Sequence, residues 1–350
     1  MGLTVVEKTE FVAGARGLRP RNDLLEVPCV EDATRKEFLL GAAGLVLLTP
    51  YGCGQRAGDG DGEAGGTRSF EDDAGNVVEI PARPERVVAL DDRTVEAALA
   101  VGAPVVGAVG RYEKQLVPPA FEELARGVEV VGETPNLEAI ARLEPDLILA
   151  QGYTVEEIEG ELGQVAPVVV LEYWKDDSYT TTKWEEHLRR VADAAGRERR
   201  AEEELRRLDL AVDSFREDFE GDPAEVELSV LQLQPEQWLY FTEVAFCGEI
   251  VDRLGFSRPK SQRDTDTDRV YLSYERLSLA DGDAIVLTAE TLEEGVSESV
   301  EEVTASPLWR SLGAVEAGEV HRADGFLWLT GGSVPAGLAI IADLRAAFIA

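Results

Sequence analysis

The chain has 350 residues, 44% of them hydrophobic and 29% charged, enough to bury more than one core and to build about two domains. Its formal net charge of -34 excludes nucleic acid and anionic membrane surfaces as partners, because phosphate binding needs clustered Lys and Arg. Three cysteines (Cys29, Cys53, Cys247) are too few and too scattered for a disulfide framework, and two histidines (His187, His321) exclude a zinc site built on several imidazoles.

Residues 34–53 read TRKEFLLGAAGLVLLTPYGC. Arg35 and Lys36 form a basic start, and the apolar run from Phe38 to Leu48 is far short of the about 20 residues a membrane span requires. This is the layout of a signal peptide. TRKEFL resembles a twin-arginine signal with Lys36 in place of the second arginine, which leaves the export route open between that pathway and the general one. Cys53, after Gly52, resembles the lipidated cysteine of a bacterial lipobox, although Pro50 stands where such boxes usually carry Leu; a free linker cysteine is the alternative. Residues 54–67 are rich in Gly and Asp and read as a flexible tether. Residues 1–29 carry no recognisable feature, and a terminal signal would place the start near Val30, which in a chain with one methionine needs a non-AUG codon.

The segment 68–90 has turn formers Asp73 to Asn76 between two β-rich runs, a hairpin signal. Arg86–Leu90 is a short apolar strand. Thr94–Val101 has helical spacing ending at Gly102, and Val105–Val109 is a second strand. Strand–helix–strand alternation implies a parallel α/β sheet.

A weak internal repeat follows. NLEAIARLEPDLIL (136–149) and SYERLSLADGDAIV (273–286) are 137 residues apart and align Glu138 with Glu275, Asp146 with Asp283 and Ile148 with Ile285. Each copy starts at a helix N-cap residue, Asn136 or Ser273, and ends in a turn and an apolar strand. A second echo pairs EAALAVG (96–102) with EIVDRLG (249–255). Between the copies, Trp184, Leu188, Val191 and Ala195 mark one amphipathic helix, and Leu205, Leu208, Val212, Phe215 and Phe219 mark a second from Arg197 to Phe219, roughly 34 Å long. The expected division is an N-terminal extension and signal (1–53), tether (54–67), first lobe (68–182), linking helices (183–222) and second lobe (223–350).

These segments, in this order, resemble the periplasmic binding proteins of ferric-siderophore and vitamin B12 ABC importers, over about Arg68 to the C-terminus. The segments that carry the resemblance are IPARPERVVAL, VVGETPNLEAIARLEPDLILA, EIVDRLG, YERL before a DAIVL strand, and PLWRSLGAVEAGEVHRADGFLWL. The resemblance implies two Rossmann-like three-layer α/β lobes joined by a single long helix, with the ligand in the cleft between them. It implies that Glu138 and Glu275 dock on arginines of the permease; the plain alternative is a first-turn Glu that complements the helix dipole. The implied protein is a lipid-anchored monomer on the outer face of the cytoplasmic membrane, or periplasmic. It has no cofactor, and iron enters only within its cargo, a ferric siderophore.

Ligand contacts are expected in loops after strands. Candidates are Arg111 and Tyr112, Tyr153, Tyr173 and Trp174, Trp238 and Tyr240, Arg269 and Trp328, each with core packing or surface pairing as the alternative. LAQGYT resembles the loop of hydroxamate-siderophore binders, where a tyrosine meets the ligand; the arginine those binders carry before PNLE is absent. With no dense Arg cluster along the sequence, the expected cargo is a hydroxamate-like ferric complex, with a corrinoid or heme as the alternative. No nucleophile elbow or Walker A loop is present, and neither histidine has a spaced catalytic partner, so no catalytic or metal residue is expected. An α/β enzyme with an unrecognised site is the alternative of a different class.

Overall fold

The structure is a computed structural model that describes residues 66–111, 115–175, 182–234, 237–263, 266–289 and 303–349. The signal-like run, Cys53, most of the tether and Tyr112 lie outside the described residues. The hairpin expected from the turn formers is formed by β1 (Thr67–Glu71) and β2 (Val77–Pro81). Asp72 closes its turn by accepting the Asn76 N–H at 2.7 Å. The Asp73 carboxylate then accepts the Glu172 N–H at 2.8 Å, which docks the hairpin on the first lobe.

That lobe comprises β3 (Val87–Ala89), α1 (Asp92–Ala100), β4 (Val105–Ala108), β5 (Glu129–Val130), α2 (Leu137–Arg142), β6 (Leu147–Ala150), α3 (Gly152–Val155), α4 (Glu159–Leu162) and β7 (Val168–Val170). Its five strands are parallel in the order β5-β4-β3-β6-β7. β3 and β6 are wholly buried, as strands covered on both faces must be, and their uninterrupted apolar runs follow from that.

The chain leaves this lobe through α5 (Trp184–Ala194) and α6 (Glu198–Asp218). Leu205, Leu208, Val212 and Phe215 are buried along α6, the stripe its 3.6-residue period calls for. The second lobe holds β8 (Leu228–Gln234), β9 (Gln237–Phe241), α7 (Phe246–Arg253), β10 (Arg269–Leu272), β11 (Ala284–Ala289), α8 (Pro307–Arg310), α9 (Gly313–Ala317), β12 (Val320–Asp324), α10 (Gly325–Thr330) and α11 (Val334–Phe348). Its sheet order is β10-β9-β8-β11-β12. β8, β11 and β12 are parallel, while β9 runs antiparallel to both neighbours, so this sheet is mixed.

The internal repeat has a structural counterpart. Asp146 accepts the N–H groups of Glu85 and Arg86 at 2.7 and 2.9 Å, just ahead of β3, and Asp283 accepts the Glu227 N–H at 2.8 Å, just ahead of β8. Each aspartate thus ties the start of the strand that follows it to the start of its lobe's central strand. Gly282 lets the second clasp close, since a Cβ there would lie 2.5 Å from the Glu227 carbonyl oxygen. The helices of the two copies differ. Asn136 caps α2 by accepting the Ala139 N–H at 2.9 Å, whereas Ser273 makes no such side-chain cap and Tyr274–Ala280 winds as a 3₁₀ helix, with Arg276 N–H bonded to Ser273 O.

One apolar core passes through both lobes, α5, α6 and α11, with a smaller separate cluster in each lobe. α11, at the chain's end, packs on α6 and α7 and also on α1 of the first lobe. Glu96 of α1 fastens this seam by accepting the N–H groups of Gly332, Ser333 and Ala336 at 3.0, 3.1 and 3.0 Å, at the N-terminus of α11. Its counterpart in the second echo, Glu249, accepts the Trp184 indole N–H of α5 at 3.0 Å.

Burial pushes the Glu96 carboxyl up to about 7. A carboxyl whose pKa is raised on folding gives stability that is present at low pH and lost as pH rises from the ordinary glutamate range to about 7. Relative to Glu96→Gln, the wild type should therefore lose up to about 3 kcal/mol of unfolding free energy between about pH 4 and about pH 8. Denaturant unfolding of both proteins across that range measures it, and a pH-independent difference would refute it.

A candidate ligand crevice between the lobes

The first lobe presents polar groups where its strand order reverses, between the carboxyl ends of β3 and β6. Asp91, following β3, accepts the Thr94 N–H at 2.9 Å as the α1 N-cap, and the Gln151 N–H and side-chain amide at 3.0 and 2.8 Å. Asp92 pairs with Arg111, which follows β4, at 2.7 Å. Tyr153 lies on α3 after β6, is 51% exposed, and accepts from the Gln151 amide at 3.3 Å. After β7, Tyr173 meets Trp174 edge-on at 5.1 Å and His187 edge-on at 5.6 Å. Burial lowers the His187 pKa to about 4, so its ring is neutral at physiological pH.

A narrow crevice, partly open to solvent, lies between the lobes. Arg93, Tyr173 and Trp174 line it from the first lobe, and Phe241, Arg269 and Trp328 from the second. Arg93 lies over the Tyr173 ring at 5.0 Å and donates to the main-chain carbonyls of Thr330 and Leu329. Arg269 opens β10 opposite Phe241 and donates to Asp268 at 2.9 Å. Trp328, on α10, donates its indole N–H to Asp343 at 2.9 Å.

Of the residues expected to meet ligand, Tyr173, Trp174, Arg269 and Trp328 are brought together in this crevice. Arg111 and Tyr153 stand at the carboxyl ends of the first lobe's strands, beside Asp92 and Gln151. Trp238 and Tyr240 are corrected: they belong to the core of the second lobe. Trp238 is 0% exposed and stacks on Trp309 at 5.5 Å and 11°, and Tyr240 is buried in the same cluster. They sit on β9, the hairpin partner of β8, rather than in a loop after it, and their side chains alternate away from Leu239 and Phe241. Glu138 and Glu275 are both exposed, each in the first turn of its helix. Bonds from its own N–H and from Ser273 hold the Glu275 carboxyl below the ordinary glutamate range.

Arg93 escapes the sequence reading because it opens α1, whose helical spacing is apparent only from Thr94 onwards. Its place directly after β3 is the same signal that selects Arg111 and Tyr153. Among the described residues no group of three or more His, Cys, Asp or Glu side chains could hold a metal ion, and no helix is long and apolar enough to cross a membrane.

Trp238→Ala should cost about 3–5 kcal/mol of stability, the usual cost of emptying a large core position, while leaving ligand affinity unchanged in the folded fraction. Chemical denaturation with a parallel ligand titration checks this; lost affinity at unchanged stability would return Trp238 to the cleft.

Comparison with known proteins gives likenesses in sequence and in structure. The family described as Periplasmic binding protein matches residues 87–325. The Bacillus subtilis protein named "Probable siderophore-binding lipoprotein YfiY" is 30% identical over 319 residues, 87% of this chain and 95% of that one. The Bacillus subtilis Fe(3+)-citrate-binding protein YfmC is 28% identical over 81% of this chain and 88% of its own length. Among solved structures, Staphylococcus aureus SirA complexed with staphyloferrin B superposes with a TM-score of 0.67 at 26% identity, covering 80% of this chain and 98% of that one.

Proposed function

Because this chain belongs to the periplasmic binding protein family, we propose that it captures a ferric siderophore outside the cytoplasm and delivers it to the permease of an ABC importer. The observation that carries this reading is the crevice, walled by aromatic and arginine side chains from both lobes, on lobes joined through α5, α6 and one shared core. A ligand that touches both walls stabilises the closed arrangement over any open one, which is what a carrier needs to report its load. The protein binds and performs no reaction, and iron enters only as part of the chelate. Trp174, Arg269 and Trp328 contact the cargo from the walls, with Tyr153 and Arg111 at the carboxyl ends of the first lobe's strands. Cys53 carries the lipid that holds a monomeric protein on the outer face of the membrane, and the mass of the mature protein, with or without acyl chains, tests that anchor.

Titration of the purified protein with iron-loaded and iron-free siderophores, followed by tryptophan fluorescence, tests the function, since Trp174 and Trp328 line the crevice. Saturable quenching by a ferric form is expected, weakened about tenfold or more in Tyr153→Ala. Quenching by no ferric siderophore would remove the reading.

Docking rests on Glu138 and Glu275, one exposed carboxylate on each lobe. Two charge-assisted contacts on separate rigid bodies recognise the spacing of the lobes as well as their charge. Glu138→Arg combined with Glu275→Arg should leave ligand affinity intact and abolish uptake in transport assays, because repulsion replaces both pairs. Normal uptake by the double variant would rule out this docking mode.

A further inference from the structure

We propose that Arg258 and Gln262 are positioning residues for the cargo, a buried wedge between β8 and β9 that holds the second lobe's wall of the crevice in place; this rests on the siderophore reading above. β9 and β10 stay paired as far as Phe241 and Arg269, which both line the crevice. β8 and β9 part earlier, after Leu231 and Tyr240. The β9–β10 pair therefore peels away from β8 and carries its end into the wall. Strands that part inside a protein leave N–H and C=O groups without partners, at a cost comparable to a lost hydrogen bond.

Two side chains take these groups. Val230 and Phe241 are the residues just beyond the last paired ones. Gln262 Oε1 accepts the Val230 N–H at 3.5 Å, and Arg258 Nη2 donates to the Phe241 carbonyl. Arg258 Nη2 also donates to Gln262 Oε1 at 2.9 Å, and Gln262 Nε2 donates to Ser229 Oγ at 2.7 Å, which ties the wedge together. Arg258 is 2% exposed and Gln262 is 0% exposed. The backbone on either side of the wedge is fixed as well. The Leu228 N–H donates to the Ser257 carbonyl at 2.9 Å, and the Glu243 N–H donates to the Gln262 carbonyl at 3.2 Å.

A guanidinium in so dry a place is costly, and its burial lowers the Arg258 pKa. Its Nε and Nη1 have no hydrogen-bond partner among the described residues, so two of its three nitrogens contribute nothing to the fold. What the third supplies is a donor at the end of a long stem, set against the Phe241 carbonyl. The next residue, Thr242, donates its N–H to the Asp268 carbonyl at 2.9 Å, and Asp268 with Arg269 forms the other part of this wall. The wedge thus holds the wall one residue from the bond that joins its two parts. Cys247 lies in the same wall and is 1% exposed. Burial pushes its thiol up to about 12, so it reacts only when the wall opens.

The test has a ligand-free arm and a ligand arm. In the first, the native protein is pulsed with N-ethylmaleimide, and labelling at Cys247 is followed by peptide mass mapping beside denaturant unfolding of the same variant. Arg258→Met and Gln262→Met should each speed that labelling about tenfold or more beyond the change in the global unfolding constant, because a loosened wall opens locally. In the second, ferric dicitrate and ferrichrome are titrated by tryptophan quenching. Whichever binds the wild type should bind Arg258→Met and Gln262→Met about tenfold or more weakly, and Arg258→Lys, which keeps a donor, should lose less. Labelling that rises no more than the unfolding constant, or affinity unmoved in both Arg258→Met and Gln262→Met, would overturn the wedge and leave the siderophore reading standing. If neither chelate binds the wild type, the siderophore reading falls and labelling alone decides the wedge. If Arg258→Met does not fold, Gln262→Met and Arg258→Lys carry the comparison.

Discussion

Two sheets on separate lobes can hold a ligand between them only if their separation is defined, and here the seam around α1, α5, α6 and α11 defines it. A single apolar core runs through these helices from one lobe to the other. At its centre Glu96, on α1, takes three N–H groups that open α11. Helix starts leave such donors without intrahelical partners, so a buried carboxylate from the other lobe both satisfies them and fixes where α11 begins. At the far end, Arg345 of α11 pairs with Asp218 of α6 at 2.6 Å. The last helix is thus tied to the first lobe at its start and to the linking helix at its end.

The crevice inherits its walls from that seam. Arg93 is three residues before Glu96 on α1, and Gly332, which Glu96 binds, is the backbone that presses on Arg93 and Tyr173. Holding the lobes together and shaping the cavity are therefore done by one turn of α1 and the approach to α11. The chemistry of the two faces differs: Glu96 turns its charge into helix donors, whereas Arg93 points its own towards carbonyls and the cavity. Burial makes both consequential, since charges in a low-dielectric interior interact more strongly than those on the acidic surface.

The two lobes share a device as well as a topology. Asp146 and Asp283 each clasp the backbone ahead of the central strand of their own lobe. Other parts of the repeat have diverged, with an α-helix following Asn136 and a 3₁₀ helix following Ser273, and an all-parallel sheet in the first lobe against a mixed one in the second. The clasp is common to both lobes although the helices differ, and in each copy the first turn still carries an exposed acid, Glu138 or Glu275.

Much of this was written in the sequence. Turn formers at Asp73 to Asn76 specify the hairpin, the apolar period specifies α6, the Gly and Asp turns specify where strands begin, and the aligned aspartates reveal the repeated lobe. These are local features: neighbouring residues supply the turn, the period and the cap. The site was legible only in part. Trp174, Arg269 and Trp328 follow or border strands and do line the crevice, yet Trp238 and Tyr240, chosen by the same rule, point into a core. An aromatic residue has the same appearance in a sequence whether its neighbours are a ligand or Trp309, and an antiparallel hairpin strand resembles a loop when parallel strands are expected. The meeting of Arg93 with Arg269 is not visible in the sequence, because arginines so far apart along the chain share a crevice only when α1 and β10 are brought near each other by the packing of the lobes. Sequence alone determined the hairpin, the central strands, α6 and the repeat of two lobes; the tertiary structure decided the antiparallel β9 and which side chains share the crevice, since these depend on long-range packing that no local pattern encodes.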